Sequence, residues 1–339
     1  MIAENQLISV VIPNYNRGNL LKETLDSLLS QTHSGWEAVV VDDGSTDNSN
    51  ETGRHYAELD SRISYIKRDR EPSGAPTCRN IGLQQSKGSH IIFLDSDDLL
   101  APFCIEQRLQ AIRRHPEMDF IVFPMLMFSD DTAAADTYWN IETGEPDLLR
   151  FLSLDAVWQT SGPVWKRSAV EKISGFTEGL ACWQDVDFHL KALTSGLKHL
   201  KIWDARPDIF YRTHKTGSIS QNEISSPAKI KSRVKIFETR SLAILDQNYA
   251  DAFPRLKYLG QNVTFGAIKS INYKSAFKIL SFGRKHGIFK IGFLIKSYFL
   301  LLLMVLRLYK LPAINTFISK EMGKGKIESG IGKHKLIKN

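Results

Sequence analysis

The segment that most constrains the fold of this chain is residues 93–98, Phe-Leu-Asp-Ser-Asp-Asp, where an apolar strand ends directly in three carboxylates. Like charges this close repel each other, so a positive group is expected among them. Oxygen ligands of this kind suit a hard cation such as Mg²⁺ or Mn²⁺, which would bring phosphates with it. A second acidic turn, residues 41–45 (Val-Asp-Asp-Gly-Ser), also follows an apolar strand. Two such turns in one parallel sheet predict a nucleotide-binding crevice at its carboxyl edge.

Strand and helix patterns alternate through the first third of the chain. Strands are predicted at residues 7–12, 36–41, 63–66 and 90–94, and helices at residues 18–30, at 75–85 and from Pro102 onward. A further helix is predicted after Asp47, whose side chain can cap its N-terminus. This alternation indicates an α/β fold, a parallel sheet with helices on both faces. Later residues 183–195 and 229–245 also have helical patterns.

Charge divides the chain into two parts. Residues 1–220 contain 22 Lys and Arg against 31 Asp and Glu, whereas residues 221–339 contain 22 against 6. We therefore predict a catalytic unit at 1–220, a mainly helical basic region at 221–322 and a disordered tail at 323–339. A basic half indicates an anionic partner, either a membrane or a nucleic acid, and the alternative is a solvated basic helical face.

The apolar run 297–306, bracketed by Lys296 and Arg307, bears on the choice of partner. As a helix it is roughly 16 Å long, shorter than the ~30 Å hydrocarbon core. We interpret it as an interfacial helix on anionic lipid; a core helix or a dimer contact is the alternative. Nucleic acid is not expected, because the basic residues lack a known module or regular aromatic interleaving.

The expected compartment is the cytoplasm, with peripheral binding to the inner face of the cell membrane. The first residues lack the basic and apolar pattern of a secretory signal. The three cysteines, Cys78, Cys104 and Cys182, have no paired short spacing, which fits a reducing compartment.

Several side chains beside these turns are candidates for ligand binding. Tyr15, in the turn after the first strand, can stack on a base, or this is an ordinary strand-to-helix turn. Arg79 lies in a helix that opens with small residues, where it offers charge to a diphosphate or forms a surface salt bridge. Asp185 and Asp187 lie two apart, so on a helix they diverge and only one faces the crevice.

Five segments in this order resemble glycosyltransferase family 2: residues 8–16, 41–47, 79–82, 93–98 and 184–185. The resemblance covers roughly residues 5–215. It implies a GT-A fold, in which a Rossmann-like nucleotide-binding sheet precedes an acceptor-binding region. It also implies inverting transfer from a nucleotide sugar, usually with Mn²⁺ or Mg²⁺.

The resemblance also implies roles for individual residues. It places the nucleotide sugar against Pro13, Tyr15, Asp43, Arg79, Asp95 and Ser96, and the metal against Asp97 and His214. Asp185 matches the catalytic base, which would take a proton from the acceptor hydroxyl. Trp183 and Gln184 are expected to contact the acceptor, although Trp183 is alternatively a core residue. The family usually has Glu at the position of Gln184, so the contact made by that glutamate is in doubt.

The sequence thus predicts a metal-dependent transferase that moves a sugar, from UDP-sugar by expectation, to a hydroxyl of a glycan or lipid-linked acceptor in cell-surface polysaccharide synthesis. A processive synthase would typically carry several membrane spans and a Gln-x-x-Arg-Trp motif, and a nucleotidyltransferase would need a glycine-rich loop where residues 13–16 stand. A related nucleotide-binding module that has lost catalysis is the non-enzyme alternative. The presence of Asp95, Asp97 and Asp185 argues against it.

Overall fold

The computed structural model describes residues 7–139, 141–213, 226–247, 249–323 and 334–335. Its main sheet has seven strands, in the spatial order β10 (His199–Lys201), β6 (Phe120–Val122), β9 (Pro163–Lys166), β4 (His90–Phe93), β1 (Ile8–Asn14), β2 (Trp36–Asp42) and β3 (Ile63–Lys67). The first four strands along the chain are parallel, whereas β9 runs antiparallel to both neighbours. The predicted α/β class is confirmed.

Helices follow the parallel strands as the alternation predicts: α1 (Gly18–Leu29), α2 (Ser49–Leu59), α3 (Ala75–Gln85) and α4 (Cys104–Arg114). Among these strands and helices, the largest differences from the predicted boundaries are two residues. The helix expected at Pro102 begins two residues later, and β1 continues through Pro13 to Asn14 instead of ending at residue 12. Pro13 is tolerated because β4 pairs with β1 only as far as Val11, so no ladder bond is lost on that side.

A second sheet lies beside the end of β4. Its order is β12 (His334–Lys335), β8 (Thr137–Tyr138), β7 (Met125–Phe128), β11 (Ile209–Arg212) and β5 (Leu99–Leu100). Three short helices complete this part, α5 (Asp147–Leu152), α6 (Arg167–Lys172) and α7 (Gln184–Thr194). Of the tail predicted to be disordered, Gly323 and residues 334–335 are described, and the rest lies outside the described residues.

The basic region is helical, as predicted. It contains α8 (Pro227–Asp246), α9 (Phe253–Lys269), α10 (Tyr273–Lys285), α11 (Ile291–Val305) and α12 (Pro312–Gly323), with single 3₁₀ turns at Ala250–Ala252 and Leu308–Lys310; a further one at Thr132–Ala134 lies in the sheet region. Ser226 caps α8, because its hydroxyl accepts the Lys229 backbone N–H.

One apolar core joins the sheet to the basic helices. Phe237 on α8 belongs to the same buried cluster as Phe93 and Trp165 of the sheet. An ion pair of 3.0 Å between Asp187 Oδ1 on α7 and Arg240 Nε on α8 reinforces this contact. The basic helices therefore form one side of the protein's interior.

Within the described ranges, every helix is too short or too polar to cross a bilayer. The most apolar of them, α11, has 15 residues and is therefore about 22 Å long, against the ~30 Å of a hydrocarbon core.

Candidate active site

The three carboxylates after β4 have different environments. The side chains of Asp95 and Asp97 are 37% and 17% exposed, whereas Asp98 is buried. Asp98 accepts hydrogen bonds from Ser161 Oγ (2.9 Å) and the Arg212 backbone N–H (3.0 Å). Burial, with the charges of Asp97 and Asp95 added, raises the pKa of Asp98 well above its usual range. Asp98 therefore ties the loop to β11, and the other two carboxylates remain accessible.

Arginines supply the positive charge that the sequence calls for among these carboxylates. Arg79 Nη2 lies 2.6 Å from Asp95 Oδ1, and Arg17 Nη1 lies 2.5 Å from Asp97 Oδ2. Arg79 is almost fully buried, with its guanidinium carbon 5.0 Å from the centre of the Phe176 ring. Arg79 thus forms a buried ion pair with a predicted nucleotide contact, which differs from the surface salt bridge that was its alternative, and its contact with a diphosphate stays a prediction.

Helix α7 brings the predicted base to the same edge of the sheet. Gln184 Oε1 accepts a hydrogen bond of 3.1 Å from Arg79 Nη1, so Arg79 bridges Gln184 and Asp95. Asp185 is the next residue and is half-buried. Burial raises its pKa; the Val186 backbone N–H and the Arg79 charge oppose the rise. A carboxylate with a raised pKa, near a cation, has the properties required of a general base.

Two other residues near Asp185 contact helix α8. Asp187 is buried against Arg240, so the two carboxylates diverge as their spacing predicts. Trp183, with φ of +56°, precedes α7, and the guanidinium carbon of Arg233 lies 4.9 Å from the centre of its ring. The indole is partly buried and packs on the core, so the structure shows the core contact that was one alternative for Trp183.

At the end of β2, Asp42 builds the turn. Its carboxylate accepts hydrogen bonds from Asn14 Nδ2 (3.0 Å) and from the backbone N–H groups of Gly44 (3.1 Å) and Ser45 (2.9 Å). Asp43, the predicted nucleotide contact, points elsewhere and forms a 2.5 Å ion pair with Arg68 Nε. The two adjacent aspartates thus divide into one that holds the loop and one at its rim.

The remaining predicted site residues differ in their exposure to solvent. Tyr15 is 56% exposed directly after β1, whereas Pro13 and Ser96 are buried. His214, the second predicted metal ligand, lies outside the described residues. The carboxyl edge thus collects Tyr15, Asp43, Arg79, Asp95, Asp97 and Asp185 on neighbouring strand ends and on α3 and α7.

Three residues of the site were not assigned a role from the sequence: Arg17, Tyr211 and Arg212. Arg212 Nε donates to the Asp97 backbone carbonyl (2.9 Å), and its Nη2 pairs with Glu23 (2.5 Å). Burial and the charges of Asp98, Asp95 and Asp97 raise the pKa of the Tyr211 phenol, which stays protonated. A cation at a strand end, as at residue 212, or just after one, as at residue 17, was the available signal.

The donor atoms fit a hard cation that arrives with a phosphate ligand. Among the described residues, no cluster of three or more His, Cys, Asp or Glu side chains is arranged to hold a metal. However, Mg²⁺ is commonly held by one or two carboxylates together with substrate phosphates and water. Asp97, with Asp95 two residues away, provides carboxylate oxygens of this kind.

Comparison with known proteins gives a family match over part of the chain and a shared fold. Residues 9–164 match the model of the family described as Glycosyl transferase family 2. The putative teichuronic acid biosynthesis glycosyltransferase TuaG of Bacillus subtilis is 38% identical over 104 residues, which are 31% of this chain and 41% of TuaG. In four curated relatives, including TuaG, the matched segment covers between 15% and 62% of the protein's length.

Two solved structures share the fold. TarS of S. aureus (residues 1–349) in complex with UDP-GlcNAc has a TM-score of 0.63 and 19% identity, over 83% of this chain and 80% of that one. The mannosyltransferase PcManGT from Pyrobaculum calidifontis, in complex with GDP-Man and Mn²⁺, has a TM-score of 0.53 and 18% identity, over 96% and 86%. At such identities the likeness shows the GT-A fold alone, and it confirms that expectation.

Proposed function

We propose that this chain is a member of glycosyltransferase family 2, whose model matches residues 9–164. In this proposal it is an inverting transferase that moves a sugar from a nucleotide sugar to a hydroxyl of a glycan or lipid-linked acceptor in cell-surface polysaccharide synthesis. The observation that carries the proposal is the convergence of Asp95, Asp97 and Asp185 at one sheet edge, with Arg79 paired to Asp95 and Arg17 paired to Asp97. A donor site needs the first two carboxylates, and an acceptor site needs the third.

The proposed donor is a UDP-sugar. Pro13, Tyr15, Asp43, Arg79, Asp95 and Ser96 are its proposed contacts. The exposed ring of Tyr15 is available for stacking on a base. The complex of TarS with UDP-GlcNAc supports a UDP-sugar as donor. The name of TuaG, a putative teichuronic acid biosynthesis glycosyltransferase, supports a role in polysaccharide synthesis.

The proposed cofactor is Mn²⁺ or Mg²⁺, held by Asp97 and His214. Such an ion would neutralise charge on the departing diphosphate. Arg17, whose Nη1 lies 2.5 Å from Asp97 Oδ2, would place a second positive charge beside that diphosphate. The presence of Mn²⁺ with GDP-Man in PcManGT supports the assignment.

The proposed chemistry uses Asp185 as the base. Its carboxylate takes the proton of the acceptor hydroxyl while that oxygen forms a bond to the anomeric carbon. The bond from this carbon to the diphosphate oxygen breaks on the opposite face, so the configuration inverts. The raised pKa of Asp185 strengthens it as a proton acceptor.

The acceptor side is assigned to Trp183 and Gln184. Gln184 already accepts a hydrogen bond from Arg79, so its amide nitrogen is left as the group that faces an acceptor. A glutamate here would form an ion pair with Arg79 and compete with Asp95 for it. The neutral Gln184 therefore leaves the charge of Arg79 directed at Asp95.

We also propose that the protein works at the inner face of the cell membrane, where lipid-linked acceptors are carried. The surface that would make this contact is argued separately below.

A panel of nucleotide sugars with Mn²⁺, scored by release of free nucleotide, tests the proposal. We expect slow hydrolysis of one donor, abolished in Asp97→Ala and retained in Asp130→Ala, which removes an exposed carboxylate outside the site. If no donor turns over but UDP binds with metal, an acceptor must be supplied before the enzyme is judged inactive. Absence of UDP binding would contradict the donor-site assignment.

A further inference from the structure

Helix α11 exposes a continuous row of large apolar side chains. Six of its residues and its C-cap, Leu306, are between 39% and 71% exposed; the six are Ile291, Ile295, Tyr298, Phe299, Leu302 and Val305. Phe277 of α10 extends the row on one side, with its ring 5.8 Å from that of Tyr298, and Phe317 of α12 extends it on the other, 6.4 Å from Phe299. We call these nine residues the apolar stripe. Monomeric proteins rarely expose a contiguous patch of this kind.

The stripe is a property of the helix and not of one loose side chain. Its members recur at steps of three and four residues, which places them on one face of an α-helix. The opposite face is packed in the core through Leu294, Leu301 and Met304. The helix is thus apolar on both sides, and only one side has a partner within the described residues.

Charge around the stripe is mainly positive, although Lys278 and Lys296 are paired with Glu238 and Glu321. Residues 252–320 contain no Asp or Glu, and their Lys and Arg residues are Arg255, Lys257, Lys269, Lys274, Lys278, Arg284, Lys285, Lys290, Lys296, Arg307, Lys310 and Lys320. Lys274 lies one turn from Phe277, and Lys320 one turn from Phe317. Lys290 and Arg307 flank α11 at its two ends, and all four of these cations are exposed.

We propose that the apolar stripe rests in the headgroup region of an anionic bilayer, with α11 parallel to the surface. Apolar side chains would enter the acyl boundary while the surrounding lysines and arginines contact lipid phosphates. Lysine stems of this kind lie along apolar surface and keep the ammonium group at the interface. With a length of about 22 Å, the helix lies on the membrane and does not span it.

Charge favours lipid over a second copy of this chain. A symmetric dimer through the stripe would bring two basic rims together, and the acids Glu238 and Glu321 are already paired with Lys278 and Lys296 of the same chain. An anionic leaflet supplies the missing countercharge. The purpose of this contact rests on the proposed function, since it would bring the transferase to a lipid-linked hydroxyl.

The test is co-flotation of the full chain with vesicles of phosphatidylcholine alone or with added phosphatidylglycerol. The test variant is Phe299→Glu/Leu302→Glu, which puts two charges on the stripe. The matched control is Leu59→Glu/Leu242→Glu, at two exposed apolar positions outside it. Circular dichroism verifies that both variants fold.

We expect the wild-type chain and the control to bind anionic vesicles, less well at high salt, and the stripe variant to lose at least tenfold in partition coefficient. Absent binding, or equal binding by the stripe variant, would overturn the proposal. Stripe-dependent dimerisation without lipid, measured by sedimentation, would also overturn it in favour of a copy of the chain. Because nucleotide release is scored separately, vesicle binding without turnover would count against the transferase assignment alone.

Discussion

The sheet edge and the outer face of the basic helices balance charge in opposite ways. At the edge, the carboxylates of Asp43, Asp95 and Asp97 each face an arginine of the same chain. On the helices, residues 252–320 carry cations only, and large apolar side chains are exposed between them. A charged ligand at the edge can therefore replace one member of a carboxylate–arginine pair. The helical face, in contrast, needs a partner that brings both negative charge and apolar surface.

Helix α7 separates these two surfaces. Asp185 faces the edge, where Arg79 influences its pKa, and Asp187 faces α8, where it pairs with Arg240. These two carboxylates, two positions apart in the sequence, thus contact different regions, and each can be substituted without removing the other's contacts.

The largest expected effect comes from Asp185→Asn. Loss of a general base should lower turnover by about 10²- to 10⁴-fold while UDP binding persists. Because burial raises the pKa of Asp185, wild-type kcat/KM should fall as the pH is lowered through that raised value, since the protonated acid cannot accept a proton. Steady-state kinetics across pH measures both. Equal turnover in Asp185→Asn and wild type would remove Asp185 from the mechanism.

Breaking a buried ion pair of the sheet region should cost more stability than breaking a partly exposed pair made by the helical region. Arg108 and Asp208 are fully buried and joined by two 2.9 Å hydrogen bonds. Arg108→Met leaves Asp208 without its partner and should lower the free energy of unfolding by about 3–5 kcal/mol. Arg255→Met, which breaks the partly exposed pair with Glu145, should cost only about 0–1 kcal/mol. Urea titrations with similar losses for both would contradict the distinction.

The contact between α7 and α8 is tested by Asp187→Asn. It should reduce the free energy of unfolding by roughly 1–3 kcal/mol, because the mostly buried guanidinium of Arg240 loses its carboxylate partner. Turnover of the folded variant should stay near wild type, which makes it the matched control for Asp185→Asn. In a double-mutant cycle with Arg240→Leu, a coupling energy below about 0.5 kcal/mol would show that the pair contributes little.

The smallest expected effect is a change in the pH dependence of stability. Burial, helped by the charge of Lys166, lowers the pKa of His90 to about 4. Between pH 6 and pH 5 the unfolded chain takes up a proton that folded His90 does not, so folding loses about 1 kcal/mol on acidification. His90→Gln should remove that part of the slope in urea titrations, and His55→Gln, on the exposed face of α2, should not.

Local patterns predicted the elements that position the site. The sequence of apolar strands followed by acidic turns located β1, β2 and β4 within two residues, and the boundaries of α3 were correct. Asp47 was expected to cap the helix after it. Its carboxylate accepts the Ser49 N–H, and it also accepts the Gly18 N–H at the start of α1.

Contacts between distant segments were beyond local patterns. The arginines that neutralise Asp95 and Asp97 come from α3 and from the turn after β1, and no spacing rule links them to residues 95–97. Likewise, Asp98 resembles its neighbours in sequence, and only the approach of Ser161 and of β11 makes it a buried structural residue. The exposed face of α11 likewise depends on which side of it α9 and α10 occupy.

The core shared by the sheet and the helices limits how this protein can be shortened. Phe237 packs in one cluster with Phe93 and Trp165, so a chain cut after residue 220 would expose an interior wall that α8 normally covers. Such a fragment would present apolar surface to its neighbours and aggregate. Any smaller soluble catalyst derived from this protein must therefore keep α8, or carry polar replacements where α8 now rests.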